Sequence, residues 1–183
     1  MSSESELRAL VFRELIFETH AISEDNERGI ASGWNETGLS ERGRQLAMEL
    51  GARNGSADVV YTSDLKRAIE TAEIAFPLSA KAIFADQRLR ECDYGELTGH
   101  PAAELHPRSR FITTPYPSGE SYVDVVERVA SFLADVRRRP EQAILVIGHS
   151  ATRWAIEHLL ESKRLEDLVD SPFDWRPGWH FRL

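Results

Sequence analysis

The sequence predicts an α/β sandwich in which helices cover both faces of a largely parallel central sheet. Three observations carry this expectation. Short β-rich runs alternate with amphipathic stretches, the pattern that strand-helix-strand crossovers leave in a chain. The run Ala143-Ile144-Leu145-Val146-Ile147 is apolar without alternation, as a strand covered on both faces must be. No repeat, low-complexity tract or long Pro/Gly/Ser linker interrupts the 183 residues, so they are read as one domain, 1–183, with 1–8 as a frayed extension.

The elements follow in order. Leu15-Ile16-Phe17-Glu18-Thr19 reads as a strand, and a polar loop runs from about Ser23 to Gly38. Ser40 reads as the N-cap of a helix through Gln45, Leu46 and Leu50. Asp58-Val59-Val60-Tyr61 is the next strand, and Ser63 or Asp64 is placed to cap a helix through Leu65, Ala68, Ala72 and Ala75. Lys81 to Phe84 is a short strand. Pro101, Pro107, Pro115 and Pro117 break any long element between Arg88 and Pro117. Val125, Val126, Val129, Phe132, Leu133 and Val136 recur at helical spacing within Tyr122 to Arg138. Ala151 to Leu160 is the helix after the buried strand, Pro177 to Leu183 is an edge strand, and Trp175 to Trp179 is expected to close the core.

Composition narrows the function classes. With 42% hydrophobic and 28% charged residues the chain can close one sizeable core. No window approaches the roughly 18 consecutive apolar residues of a membrane span. The start Met1-Ser2-Ser3-Glu4-Ser5-Glu6 does not resemble a secretory signal, and the lone Cys92 can form no internal disulfide. Both point to a reducing, cytoplasmic setting. The net charge of −8, with no basic run longer than Arg137-Arg138-Arg139, argues against nucleic acid or an anionic membrane as partner. A small phosphate ester is not excluded, because a buried pocket sets its own field. Oligomeric state cannot be read.

In parallel sheets, ligands bind at the carboxyl ends of the strands. Two strands here end directly in histidine, at Thr19-His20 and Gly148-His149, and a third leads into Ser63-Asp64-Leu65-Lys66-Arg67. Two imidazoles and a guanidinium can therefore converge on one crevice. A neutral imidazole is a competent nucleophile, and cationic donors beside it suit a phosphoryl group.

These segments resemble the histidine phosphatase (phosphoglycerate mutase-like) superfamily. That family opens with Arg-His-Gly-Glu-Thr/Ser-x-x-Asn; here the segment is Thr19-His20-Ala21-Ile22-Ser23-Glu24-Asp25-Asn26. Ser32-Gly33-Trp34, Leu39-Ser40-Glu41-Arg42-Gly43 and Ser63-Asp64-Leu65-Lys66-Arg67-Ala68-Ile69-Glu70-Thr71-Ala72 follow the family pattern in order. So do Leu89-Arg90-Glu91-Cys92-Asp93-Tyr94-Gly95, Pro117-Ser118-Gly119-Glu120-Ser121 and Val146-Ile147-Gly148-His149.

The resemblance implies a three-layer sandwich and a phosphomonoesterase working through phosphohistidine at His20. It implies that Arg67 grips the phosphoryl oxygens, that His149 donates a further hydrogen bond, and that Glu91 is the proton donor and later the base. Asn26, Ser23 and Arg28 are the expected substrate-binding residues; neither a metal nor another cofactor is expected. The loop from Gly95 to Tyr116 is short for a lid, which favours hydrolysis over mutase chemistry.

Three clustered positions depart from the pattern. Thr19 stands at the arginine position, Ala21 at glycine and Ile22 at glutamate. Loss of one preorganised donor typically costs about 3–4 kcal/mol, roughly 10²–10³ in rate. Arg28 in the following loop is one substitute, and Arg88, Arg90 and Arg153 are others; Arg13 lies about 20 Å of strand away. The alternative reading is a catalytically weak fold relative that binds an anionic ligand. A second alternative is a serine hydrolase using Ser150 in Gly148-His149-Ser150-Ala151-Thr152, with His158 or His180 as its base. His100 and His106 lack the spacing of a zinc site and are expected at the surface.

Overall fold

The computed structural model describes residues 13–77 and 81–183. The expected extension over residues 1–8 lies outside them. Strand β1 (Glu14–Thr19) is followed by α1 (Glu24–Arg28), α2 (Glu41–Arg53), β2 (Val59–Thr62), α3 (Lys66–Ala75) and β3 (Ala82–Ala85). Short 3₁₀ turns carry the chain to α4 (Tyr122–Val136), and then come β4 (Ala143–Gly148), α5 (Ser150–Glu161), α6 (Leu165–Leu168) and β5 (Trp179–Arg182). The sheet runs β3-β2-β4-β1-β5, with β5 alone antiparallel.

Strand parity builds the three layers. On one face Leu15, Phe17, Val59, Tyr61, Ile144 and Val146 pack with Val129, Phe132 and Leu133 of α4 and Ile156 of α5. On the other, Ile16, Val60, Leu145 and Ile147 meet Leu50 of α2 and Ala68 and Ala72 of α3. Successive residues of a strand point to opposite faces, so a strand sandwiched between helices must be apolar throughout. Glu18 shares the face of Ile16 and is 1% exposed. Its carboxylate is neutralised by a fork from Arg53, at 2.8 and 3.0 Å, and by the Asn54 amide at 2.9 Å.

Some local expectations differ. The segment after Ser23 is not all loop. Ser23 and Asn26 form a reciprocal capping box that starts α1, and Gly29 ends it at φ +70°. Neither Ser63 nor Asp64 caps α3, whose N-cap is Leu65 without a side-chain bond. The Asp64 carboxylate is held by Arg90 at 2.6 and 2.7 Å, and Ser63 bonds a histidine. Near the C-terminus Trp179 is 4% exposed, but Trp175 is 54% exposed and does not close the core.

Gly43 lets α2 sit against the chain after β1. A Cβ there would lie 1.9 Å from the Ile22 carbonyl oxygen, so only glycine permits this approach.

Candidate active site

Register alone brings the two histidines together. Thr19 pairs with Gly148 across the parallel β1–β4 ladder, and the His20 N–H donates to the Gly148 carbonyl at 2.9 Å. His20 and His149 therefore leave the sheet side by side, with ring centroids 4.9 Å apart. On the other side of β4, Thr62 pairs with Ile147, which sets Ser63 beside His149. The first turn of α3 then carries Arg67 under both rings.

Hydrogen bonding fixes the tautomers. His20 Nδ1 lies 2.7 Å from the Ala21 carbonyl, which can only accept, so the proton is on Nδ1 and Nε2 holds a lone pair. Arg67 Nε donates to that Nε2 at 3.3 Å, and Arg67 Nη2 approaches His149 Nδ1 at 3.3 Å. A guanidinium can only donate, so His149 Nδ1 accepts and its Nε2–H donates to Ser63 Oγ at 2.7 Å. His149 thus orients Arg67, and its own proton points away from the guanidinium. The resemblance implied a donor to the phosphoryl oxygens at this position; toward Arg67, His149 Nδ1 is an acceptor.

The charges follow from burial. Removal from water, and then the Arg67 cation, push His20 down to about 3. The same two causes, in the same order, hold His149 well below the ordinary histidine range. Both rings are neutral near pH 7. Arg67 is 2% exposed and donates only to neutral acceptors: the two imidazoles and the carbonyls of Asn35 and Gly33, at 3.2 and 2.8 Å. No direct ion pair reaches it among the described residues. Burial lowers its pKa, and the Glu91 carboxylate nearby opposes this.

Glu91, 8% exposed, is positioned by backbone. Its Oε1 accepts the N–H groups of Cys92 at 2.8 Å and Ala151 at 3.2 Å, while Trp34 Nε1 and Arg128 hold its carbonyl.

Two cavities meet at His20, Asn26, Glu91, Ser150 and Phe173: one of about 160 Å³ against Arg67, and one of about 580 Å³ toward α2. Of the expected site residues, His20, Arg67, Glu91, His149 and Asn26 line one or both. Ser23 and Arg28 line neither. Ser23 is fully buried and occupied in the capping box, and Arg28 is an exposed partner of Glu24 beside a separate surface depression.

None of the arginines expected to substitute at Thr19 lines either cavity. Arg88 is tied to Asp86 and Asp135, Arg90 to Asp64, and Arg153 packs over Trp179. The cations that line the larger cavity together with Thr19 are Arg42 and Arg53, both on α2. Their signal in the sequence was the face Arg42, Leu46, Leu50, Arg53, at intervals of one and then nearly one helical turn.

The proposed bases for Ser150 are elsewhere. His158 Nδ1 meets the Lys163 carbonyl at the far end of α5, and His180 pairs with Glu14 at the far end of β1. Cys92 is fully buried, and His100 and His106 are exposed as expected. Among the described residues no helix is long and apolar enough to cross a membrane.

An α/β sandwich with two strand-end histidines around a buried arginine defines a class of phosphoryl-transfer folds. The chain belongs to the histidine phosphatase superfamily (branch 1), whose sequence profile matches residues 15–174, and it is an enzyme of this phosphatase and phosphoglycerate mutase type. It is 36% identical over 158 residues to Phosphoserine phosphatase 1 of Hydrogenobacter thermophilus, covering 78% of this chain and 74% of that one. It is 32% identical over 178 residues to the 2,3-bisphosphoglycerate-dependent phosphoglycerate mutase of Azorhizobium caulinodans, covering 86% and 85%. Among solved structures, a mycobacterial glucosyl-3-phosphoglycerate phosphatase in complex with VO3 superimposes with TM-score 0.75 at 27% identity, over 85% of each chain.

Proposed function

We propose that this chain is a phosphomonoesterase that passes a phosphoryl group from a small-molecule ester to His20 and then to water. The observation that carries the proposal is Arg67: a guanidinium 2% exposed, with only neutral acceptors, between two neutral imidazoles. A buried cation without a direct ion pair is a site for an anion.

In the first step the Nε2 lone pair of His20 attacks phosphorus and the P–O bond to the alcohol breaks. Glu91 delivers the proton that the leaving oxygen takes up. The Ala21 carbonyl keeps Nδ1 protonated and so keeps the lone pair on Nε2, which turns from Arg67 to phosphorus as the guanidinium takes the phosphoryl oxygens. Arg67 stays with the transferring oxygens, and Asn26 adds a neutral contact. An ester that arrives as its monoanion can give its proton to His149 Nδ1, which converts that ring from acceptor to donor and leaves the dianion beside Arg67. In the second step Glu91 takes a proton from water, the water oxygen bonds to phosphorus, and the P–N electrons return to Nε2. Hydrolysis is favoured over a mutase cycle because only short 3₁₀ turns cover residues 95–111, with no long lid element.

The test is to trap the phosphoenzyme with a labelled aryl phosphate. Label is expected on the wild type and absent from His20→Ala; no label on either protein would sink the proposal. One observation favours binding with little turnover: Thr19, Ala21 and Ile22 bring no charge to the cavity beside His20. Thr19→Arg separates the two readings. The phosphatase reading expects faster aryl phosphate turnover, by about 10²-fold; tighter phosphate binding without faster turnover supports the binder.

A further inference from the structure

The larger cavity exceeds what a phosphoryl group needs. Its volume of about 580 Å³ begins at Thr19 and His20 and extends to α2, within the range that encloses whole drug-sized ligands. Its walls are mostly apolar: Ile22 after β1, Leu46 and Leu50 of α2, and Phe173 and Trp175 of the segment before β5. Phe173 and Trp175 are 55% and 54% exposed and rank with Met48, Ile83 and Phe84 as the large apolar side chains left in water. Two exposed aromatics on the rim of one cavity mark a surface that something apolar covers.

The two cations of this wall differ. Arg53 is committed to Glu18 by two hydrogen bonds. Arg42 has no hydrogen bond or ion pair among the described residues. A small hydroxy acid esterified at its hydroxyl would leave the apolar walls wet and gain nothing from the leucines and aromatics. A flat ring system would displace that water, lie against Trp175, Phe173 and the leucines, and bring a substituent within reach of α2.

We propose that the substrate is the phosphate monoester of a flat, apolar alcohol of aromatic size, and that Arg42 selects esters whose alcohol carries an acidic group. This rests on the reading of His20 and Arg67 as the phosphoryl site.

Phosphonates test it without turnover, because a P–C bond replaces the scissile P–O bond and leaving-group reactivity drops out. Calorimetric titration of the wild type should show 2-naphthylmethylphosphonate binding about 100-fold tighter than methylphosphonate. A 6-carboxy substituent should add a further gain of about fivefold to tenfold. Trp175→Ala and Leu46→Asn should each reduce the naphthyl-to-methyl ratio to about tenfold or less, and Arg42→Gln should erase the carboxylate gain. Equal affinity for the two phosphonates overturns the substrate class while leaving the phosphoryl site intact. A naphthyl preference that the Trp175 and Leu46 variants do not alter also overturns it, because the ring then binds elsewhere. A carboxylate gain that is missing, or that survives in Arg42→Gln, overturns the role of Arg42. Failure of both phosphonates and of orthovanadate to bind removes the phosphoryl site itself.

Discussion

Lowering the pH from 7 to 5 should destabilise this protein through its histidine pair. An unfolded histidine titrates near 6.5, whereas His20 in the fold is pushed down to about 3. Between these values the unfolded chain binds a proton that the folded chain refuses, so stability falls as pH falls. The loss begins near pH 6.5 and ends near 3. At pH 5 it amounts to about 2 kcal/mol for one such group. This is an upper figure for His20, whose ring edge meets the cavity, and His149, 1% exposed, adds a loss of the same sign. With a urea slope of about 2 kcal/mol per M, His20 alone lowers the unfolding midpoint by up to about 1 M. The assay is urea unfolding at pH 7 and pH 5 in wild type and His20→Gln. Glutamine keeps an oxygen near the position of Nε2 for Arg67 and does not titrate. The variant should lose about 2 kcal/mol less than the wild type over this interval. Equal losses in the two proteins would mean that His20 titrates normally in the fold, and the argument for its neutrality would fail.

Arg67→Lys keeps the charge but cannot donate to His20, His149 and two carbonyls at once. Its kcat/KM on an aryl phosphate should drop by about 10²–10³, and steady-state kinetics on the two proteins checks this. Gly43→Ala should destabilise by about 1–3 kcal/mol in urea unfolding although alanine is the better helix former, because its Cβ would meet the Ile22 carbonyl at 1.9 Å. Glu18→Gln breaks the fork to Arg53, and since Arg53 is 27% exposed the cost should be about 1–2 kcal/mol. A double-mutant cycle with Arg53→Gln should return most of that as coupling, and no coupling would assign the loss to packing instead.

The chain's patterns divide by the length scale of the force behind them. Strand β4 was legible because five apolar residues in a row have one common explanation, and α4 because six apolar side chains from Val125 to Val136 hold helical spacing. Helix α1 was read as loop because five residues are too few to show a period. Only its cap, Ser23 with Asn26, signals it, and those same two residues fitted a binding motif. The capping box occupies Ser23, and once α1 forms, Arg28 turns outward to Glu24. His20, Arg67, Glu91, His149 and Asn26 were legible as a set because each carries a local motif. The large cavity was not. Arg42 and Leu46 belong to a helix that was expected, but the depth at which Gly43 sets α2 against Ile22 is a packing outcome. Phe173 and Trp175 arrive from an aperiodic segment whose position depends on β5 pairing with β1.

Ser63 shows why the local reading of a residue can fail where its tertiary role is strong. A serine just before a helix is ordinarily a cap, a bond worth about 1 kcal/mol. Here the β2–β4 ladder continues one residue past Thr62 and sets Ser63 Oγ 2.7 Å from His149 Nε2, with both residues buried. Accepting the hydrogen bond from Nε2–H leaves Nδ1 as an acceptor, which holds Arg67 from one side while His20 holds it from the other. The start of α3, whose N-cap Leu65 makes no side-chain bond, thus belongs to the same arrangement that orients His149 and Arg67. The helix gives up a modest local bond, and the site gains a fixed tautomer at His149 and a guanidinium aimed at the small cavity.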